Sequence, residues 1–259
     1  MDSDPRIVKA NGISLAYRVW GPEDAPPLVL LHCRGADGTD WAVVAERLAA
    51  GPRARRVYAV DLRGHGRSDW PGTQPGAGPE AYAQQVMRDD VLAFLDALGL
   101  GRVDVVGHSL GGAVAYLLAQ DAPERVRRLV LEDVPAPFPL DPPRPPAERP
   151  AGRLPFDWAM VLATDRQRNA PDPLWWDHMG RITMPTLLIG GGPTSPIPQE
   201  QLVELAAAIP GARLVTVGGG HLVHEARPED FLAAVEEFLD HPVYPDYPAD
   251  GDVTSRTPS

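Results

Sequence analysis

The chain has 259 residues, of which 24 are basic and 35 acidic, giving a formal net charge of −11 at pH 7. This charge disfavours nucleic acid or an anionic membrane surface as a partner, and no apolar run approaches the roughly 18 residues of a membrane span. The single cysteine, Cys33, excludes an internal disulfide. The polar first residues, MDSDPRIVKANG, do not resemble a secretion signal, so we expect a soluble, cytoplasmic protein that acts on a small molecule.

The pattern of apolar residues predicts an α/β fold. Residues 6–21 alternate around Asn11-Gly12, which predicts an antiparallel hairpin. Six short runs rich in Val and Leu predict further strands, at residues 27–33, 56–62, 102–108, 125–133, 185–191 and 212–219. Near-continuous apolar runs are typical of parallel strands that are covered on both faces. Helical patterns separate most of the runs, so we predict a doubly wound, mostly parallel sheet.

This alternation is interrupted once, between the sixth and seventh predicted strands. About fifty residues there are rich in proline and then in aromatic side chains. A structureless loop of that length is uncommon, so we predict a short lid insertion at 135–180 over the carboxyl edge of the sheet, where such sheets bind ligands. The core then comprises 1–134 and 181–240, and 241–259 form a loose tail. The candidate pocket residues of the lid are Phe138, Trp158, Trp175, Trp176 and His178. The alternative is that its aromatic side chains only fix the lid to the sheet.

The segment VVGHSLGGAVAYLLAQ, residues 105–120, places a serine between a predicted strand and a predicted helix. Gly107, Ser109 and Gly111 match the pattern G-x-S-x-G in the structural context that this motif requires. A strained strand-to-helix turn exposes the hydroxyl at a helix N-terminus, where free N–H groups favour negative charge. A glycine-rich turn that only packs closely, or that holds a phosphate, is the alternative, but no nucleotide-binding motif is present.

A serine nucleophile needs a base to take its proton. In GGGHLVHEARPEDF, residues 218–231, His221 follows the last predicted strand and three glycines. That position belongs to the carboxyl edge, beside the predicted Ser109 turn. His224 competes for the role, but it lies closer to the next helix, so we favour His221 as the base.

Together these segments resemble the α/β-hydrolase fold superfamily over nearly the whole chain. The matching stretches are LLHCRGADGTDW, VDLRGHGRSDW, GHSLGG, RLVLED and GGGHLVHEARPEDF, in the order typical of the family. Within it, the chain is most similar to single-domain esterases, lactonases, cofactor-free perhydrolases and carbon–carbon bond hydrolases. The resemblance implies that the backbone N–H groups of Arg34 and Leu110 form an oxyanion hole. Relatives usually carry glycine at the position of Cys33, which puts the Arg34 donor in question.

The second departure from the family concerns the acid that orients the base. Relatives commonly carry an aspartate after the strand that matches PTLLIGG, whereas here no carboxylate follows until Glu200. Other members place the acid after the preceding strand, which ends here in Glu132 and Asp133. Adjacent strand residues point to opposite faces, so only one of the two can reach His221. Alignment with those members favours Asp133 and leaves Glu132 as the alternative.

The sequence therefore predicts a serine hydrolase that cleaves an ester, lactone or thioester of an apolar small molecule through an acyl-enzyme. No metal or organic cofactor is implied, and the oligomeric state is not predicted. One alternative uses the same triad for carbon–carbon bond hydrolysis, perhydrolysis or lyase chemistry. The other is a non-catalytic ligand-binding protein whose triad has decayed, which the missing carboxylate after PTLLIGG would favour.

Overall fold

The computed structural model describes residues 4–73 and 78–240, and within these ranges eight strands form one sheet. The strands are Arg6–Ala10 (β1), Ile13–Trp20 (β2), Pro27–Leu31 (β3), Arg56–Val60 (β4), Val103–His108 (β5), Val126–Glu132 (β6), Thr186–Gly190 (β7) and Arg213–Thr216 (β8). Their spatial order is β1-β2-β4-β3-β5-β6-β7-β8. β1 and β2 form the predicted hairpin, β2 pairs antiparallel with β4, and the remaining pairs are parallel.

The helices between these strands confirm the doubly wound α/β architecture. They are Ala42–Leu48 (α1), Gln84–Ala97 (α2), Leu110–Asp121 (α3), Trp158–Asn169 (α4), Pro173–Asp177 (α5), Gln199–Ala208 (α6), Val223–Ala226 (α7) and Pro228–Leu239 (α8). No helix within the described ranges is long and apolar enough to cross a lipid bilayer. The predicted tail, 241–259, lies outside the described residues.

Two hydrophobic cores cover the two faces of the sheet, and the central strands contribute to both. In β3, Val29 and Leu31 join the core that contains α2, α3 and α6, whereas Leu28 and Leu30 join the core that contains α1 and α8. Side chains alternate between the faces of a strand, so a strand buried on both faces is apolar at every position. This is why the predicted strands appear as continuous runs of Val and Leu.

The segment between β6 and β7 contains α4 and α5, and we refer to residues 135–180 as the insertion. Polar contacts hold α4 against the core. The Asp157 carboxylate caps the Ala159 N–H at the start of α4 and accepts a 2.6 Å hydrogen bond from the hydroxyl of Tyr82. Further along α4, the Gln167 side chain accepts a hydrogen bond from the backbone N–H of Gln84. The division into core and lid stays a prediction.

Candidate active site

Ser109 lies in a sharp turn between β5 and α3. Its backbone has φ 51° and ψ −109°, and it is one of three described non-glycine residues with positive φ. Its backbone N–H donates to the carbonyl of Glu132 at 3.0 Å, so the pairing of β5 with β6 continues into the turn. Backbone strain of this kind costs about 1–3 kcal/mol and persists only where surrounding contacts impose it. The turn leaves the Ser109 side chain partly exposed at the carboxyl edge of the sheet.

The glycines on either side of Ser109 are required by close backbone approach. A Cβ atom on Gly111 would overlap the carbonyl oxygen of Leu31, and one on Gly107 would overlap the backbone of Gly111. Larger residues would push α3 away from β3 and β5. The G-x-S-x-G pattern therefore follows from the packing of this turn.

His221 connects the serine to a carboxylate. Its Nε2 lies 3.0 Å from Ser109 Oγ, and its Nδ1 lies 2.7 Å from Asp133 Oδ2. The imidazole remains 27% exposed, whereas the Asp133 side chain is fully buried. With Nδ1 protonated and bound to Asp133, Nε2 is left to accept the serine proton. This order of contacts is the one that activates a serine.

Asp133 follows the last residue of β6 and also has positive φ, 42°. Its carboxylate accepts hydrogen bonds from the Gly191 N–H at 2.9 Å and from the Ser195 hydroxyl. Burial alone would raise the pKa of Asp133, but these bonds and the bond from His221 outweigh burial and lower it. The group is therefore held as a carboxylate. Ser195 lies after β7, where relatives were expected to carry the acid, and the sequence analysis did not identify its role.

The carboxylate that is hydrogen-bonded to His221 is that of Asp133 and not of Glu132, so the geometry does not support the alternative of Glu132 as the triad acid. Its carboxylate lies 2.8 Å from His224 Nδ1 and accepts the His224 backbone N–H at 2.9 Å. The alternation of β6 explains this arrangement, because Glu132 falls on the same face as Val130, in the core with α1 and α8. His224, the competing candidate for the base, therefore forms a buried ion pair with Glu132.

His224 and its neighbours form a buried polar cluster below the site. Burial lowers the pKa of His224, but the Asp40 carboxylate, 3.5 Å from Nε2, and the hydrogen-bonded Glu132 outweigh it and raise the pKa to about 10. His108 is fully buried and its pKa falls to about 4, chiefly because burial disfavours the charged ring. His108, Glu132 and His224 are spaced closely enough to hold a metal ion. The imidazolium of His224 already provides a positive charge beside Glu132, so the cluster does not require an ion to balance this carboxylate.

The segment after β3 carries Arg34, whose backbone N–H is one of the two predicted oxyanion donors. His32 Nε2 accepts the Leu62 N–H at 2.9 Å, so its Nδ1 carries the proton and donates to the Cys33 carbonyl at 2.7 Å. In a trans peptide the N–H points away from the carbonyl, so the Arg34 N–H points away from His32. Cys33 is not among the described residues with positive φ, so this position does not need glycine. Leu110 N lies in the first turn of α3, where N–H groups lack helical acceptors.

A cavity of about 320 Å³ contains this site. Ser109, His221, Cys33, Arg34 and Leu110 all line it. Of the predicted pocket residues, Trp175 lines it, and the bond from the Gln120 side chain to the Trp175 carbonyl, 2.8 Å, holds it there.

The other four predicted pocket residues are not among the described residues that line the cavity. Phe138 packs on Trp176 with ring centroids 4.5 Å apart. Phe156, Trp158 and Trp176 pack, partly buried, against the core that contains α2 and α3. The aromatic side chains therefore mainly fix the insertion to the core. His178 is partly buried after the end of α5.

Three charged residues of the cavity wall were not identified from the sequence. Arg144, Asp165 and Arg168 of the insertion line the same cavity as Ser109. They are spread over 25 residues, and the sequence between them shows no motif that links them. The wall is therefore more polar than the predicted apolar pocket.

Comparison with known proteins identifies the class. A family model described as the alpha/beta hydrolase fold matches residues 26–177. The chain belongs to the α/β-hydrolase fold family.

Individual relatives carry the names of several kinds of enzyme. The chain is 28% identical over 273 aligned positions to a mouse (Mus musculus) protein named sn-1-specific diacylglycerol lipase ABHD11, covering 88% of this chain and 85% of that one. Four other curated relatives match over only 32% to 48% of their own length. A crystal structure of a hydrolase from Pseudomonas aeruginosa PA01 superposes with a TM-score of 0.75 at 27% identity, covering 92% of this chain and 98% of that one. The enol-lactonase from Burkholderia xenovorans LB400 has a TM-score of 0.74 at 26% identity, covering 90% and 99%.

Proposed function

We propose that the protein is a serine hydrolase that cleaves an ester, lactone or thioester through an acyl-enzyme. The observation that carries this proposal is the continuous contact from Ser109 Oγ to His221 Nε2 and from His221 Nδ1 to Asp133 Oδ2. All three groups lie at the carboxyl edge of the sheet, and Ser109 and His221 open into one cavity.

The reaction proceeds in two halves. Ser109 Oγ attacks the substrate carbonyl while His221 takes its proton, and the Arg34 and Leu110 N–H groups bind the resulting oxyanion. His221 then donates that proton to the leaving oxygen or sulfur as its bond to the carbonyl carbon breaks. A water molecule attacks the acyl-enzyme with His221 as base, which releases the acid and restores the serine. Asp133 stabilises the imidazolium in both halves.

Other uses of the fold receive less support. A decayed triad was suggested by the missing carboxylate after β7, and the contact of Asp133 with His221 argues against it. Relatives include a protein named 2-hydroxymuconate semialdehyde hydrolase and one named non-heme chloroperoxidase, but each aligns with less than half of this chain. We therefore favour ester, lactone or thioester hydrolysis.

Hydrolysis of short 4-nitrophenyl esters tests the proposal. We expect turnover by the wild type and a loss of about 10⁶-fold in kcat for Ser109→Ala, because removal of the nucleophile disables the whole triad. Ser14→Ala, at a partly buried position of β2 that is not among the cavity-lining residues, is a matched control that should keep wild-type activity. Equal rates for the wild type and Ser109→Ala would contradict the proposal.

A further inference from the structure

We propose that the natural substrate carries a carboxylate, which Arg168 and Arg144 bind at the insertion side of the cavity. This inference rests on the proposed hydrolysis at Ser109 and adds the chemical class of the substrate. It follows from an excess of positive charge in one cavity of an otherwise acidic protein.

Arg168 is a partly buried cation without an acidic partner. It lies on α4, and its Nη1 donates to the Ala136 carbonyl at 3.1 Å. No ion pair joins it to a carboxylate within the described part of the chain. A guanidinium that loses water without gaining an anion is destabilised, so such groups in a binding cavity favour anionic ligands.

Arg144 is held close to Arg168 by the end of the same helix. The side chain of Asn169 accepts the Arg144 N–H at 2.9 Å and donates to the Arg144 carbonyl at 2.8 Å. Burial lowers the pKa of Arg168, and the positive charge of Arg144 lowers it further. The fold thus keeps two like charges in the wall of one cavity, an arrangement that a bound anion would relieve.

The acid nearest to these groups in the cavity wall is already paired. Asp165 receives the Arg34 guanidinium, so the three arginines of the wall share a single carboxylate. The whole chain carries a net charge of −11, so this local excess opposes the overall balance. A carboxylate matches the two hydrogen-bond donors that a guanidinium presents side by side.

The cavity also dictates where the carboxylate lies relative to the scissile bond. Ser109 and the two arginines line the same space of about 320 Å³, together with apolar side chains such as Ala113, Trp175 and Ile197. The inferred substrate therefore has a reactive carbonyl at one end, a short apolar chain and an anionic group at the other end.

Two matched esters test this inference. One is the mono-4-nitrophenyl ester of suberic acid, which ends in a carboxylate, and the other is the corresponding ω-amide, which is neutral. We expect the wild type to favour the anionic ester by about tenfold or more in kcat/KM. Arg168→Gln should reduce this ratio by about tenfold, mainly through KM, and Arg168→Lys should restore part of it.

Control variants separate recognition from folding. Arg166→Gln removes an exposed arginine of α4 that is not among the lining residues and should keep the wild-type ratio. Arg144→Gln removes an exposed side chain and should lower the ratio even if Arg168→Gln fails to fold. A wild-type ratio near one would overturn the inference. So would a ratio that stays the same in both Arg168→Gln and Arg144→Gln.

Failure of the proposed hydrolysis is a distinguishable result. If neither these two esters nor the short 4-nitrophenyl esters are cleaved, the hydrolase proposal is wrong, and calorimetric titration of the wild-type protein with suberate tests the anion site directly. Binding that Arg168→Gln and Arg144→Gln abolish would support the site, and absence of binding would overturn it.

Discussion

Asp133 and Glu132 are consecutive residues whose carboxylates bind two different histidines, His221 at 2.7 Å and His224 at 2.8 Å. The His221 pair opens into the cavity, whereas the His224 pair is buried. Two neighbouring acids therefore have separate tasks. In the proposed mechanism Asp133 orients the base, whereas Glu132 pairs with a histidine in the core.

Substitution of the two acids should separate catalysis from stability. Asp133→Asn should lower kcat by about 10⁴-fold, because His221 loses the acceptor that fixes its tautomer. Glu132→Gln should keep most of the activity but lower the free energy of unfolding by about 3 kcal/mol, because the buried His224 charge loses its nearer carboxylate and keeps only Asp40, 3.5 Å from Nε2. Ester hydrolysis and urea unfolding of both variants measure the two effects. The reverse pattern, with Glu132→Gln inactive and Asp133→Asn unstable but active, would contradict the assignment.

The sequence predicts this site as far as local patterns extend. The Ser109 turn and the position of His221 follow from motifs beside strands, and the strands follow from continuous apolar runs. Alternation along β6 shows that only one of Glu132 and Asp133 can reach His221 but does not decide which. That choice depends on the turn at Asp133, with φ 42°, which no local pattern indicates.

The cavity wall was less predictable for a different reason. Trp158, Trp176 and Phe138 are large apolar side chains that suit either a pocket or the underside of an insertion, and only the path of residues 135–180 decides between these. Arg144 and Arg168 lie 24 positions apart and come together through the side chain of Asn169. Such contacts depend on tertiary structure.

The buried His224 should make stability depend on alkaline pH. Its pKa of about 10 lies above the ordinary value of 6.5, so the folded protein keeps a proton that the unfolded chain releases. The resulting stabilisation is complete below pH 6.5 and is lost as the pH rises through about 10. Across this window the free energy of unfolding should fall by up to about 1.4 kcal/mol per pH unit.

His224→Gln provides the control for this pH dependence. Glu132, Asp40, Glu225 and His108 surround the ring and remain in the variant. Urea unfolding between pH 6 and pH 10 should therefore show a smaller decline for the variant than for the wild type. Parallel curves would mean that His224 is neutral in the folded protein.

The strained backbone of Ser109 predicts an unusual effect of glycine. At an ordinary position Ala→Gly costs about 0.5–1 kcal/mol, but at φ 51° glycine relieves strain that any Cβ imposes. Ser109→Gly should therefore be more stable than Ser109→Ala by about 1 kcal/mol, although neither variant is active. Thermal unfolding of both measures the difference. A less stable glycine variant would show that the turn is not strained.

His32 should affect kcat through the segment after β3 that carries the Arg34 N–H. In His32→Asn the shorter side chain cannot bridge the Leu62 N–H and the Cys33 carbonyl, so the Arg34 N–H loses its fixed direction. Loss of one oxyanion donor costs about 10²–10³-fold in kcat, and a misdirected donor should cost at least about tenfold with little change in KM. Steady-state kinetics on a neutral ester measure both constants. A rise in KM at constant kcat would place His32 in substrate binding instead.

The central claim is that Ser109 is a nucleophile activated by His221. Its most direct test is treatment of the folded protein with a fluorophosphonate, followed by mass spectrometry of the intact chain and of its peptides. We expect one adduct, located on Ser109, with labelling that is abolished in Ser109→Ala and strongly slowed in His221→Gln. A folded wild-type protein that stays unlabelled, or an adduct on another residue, would contradict the mechanism.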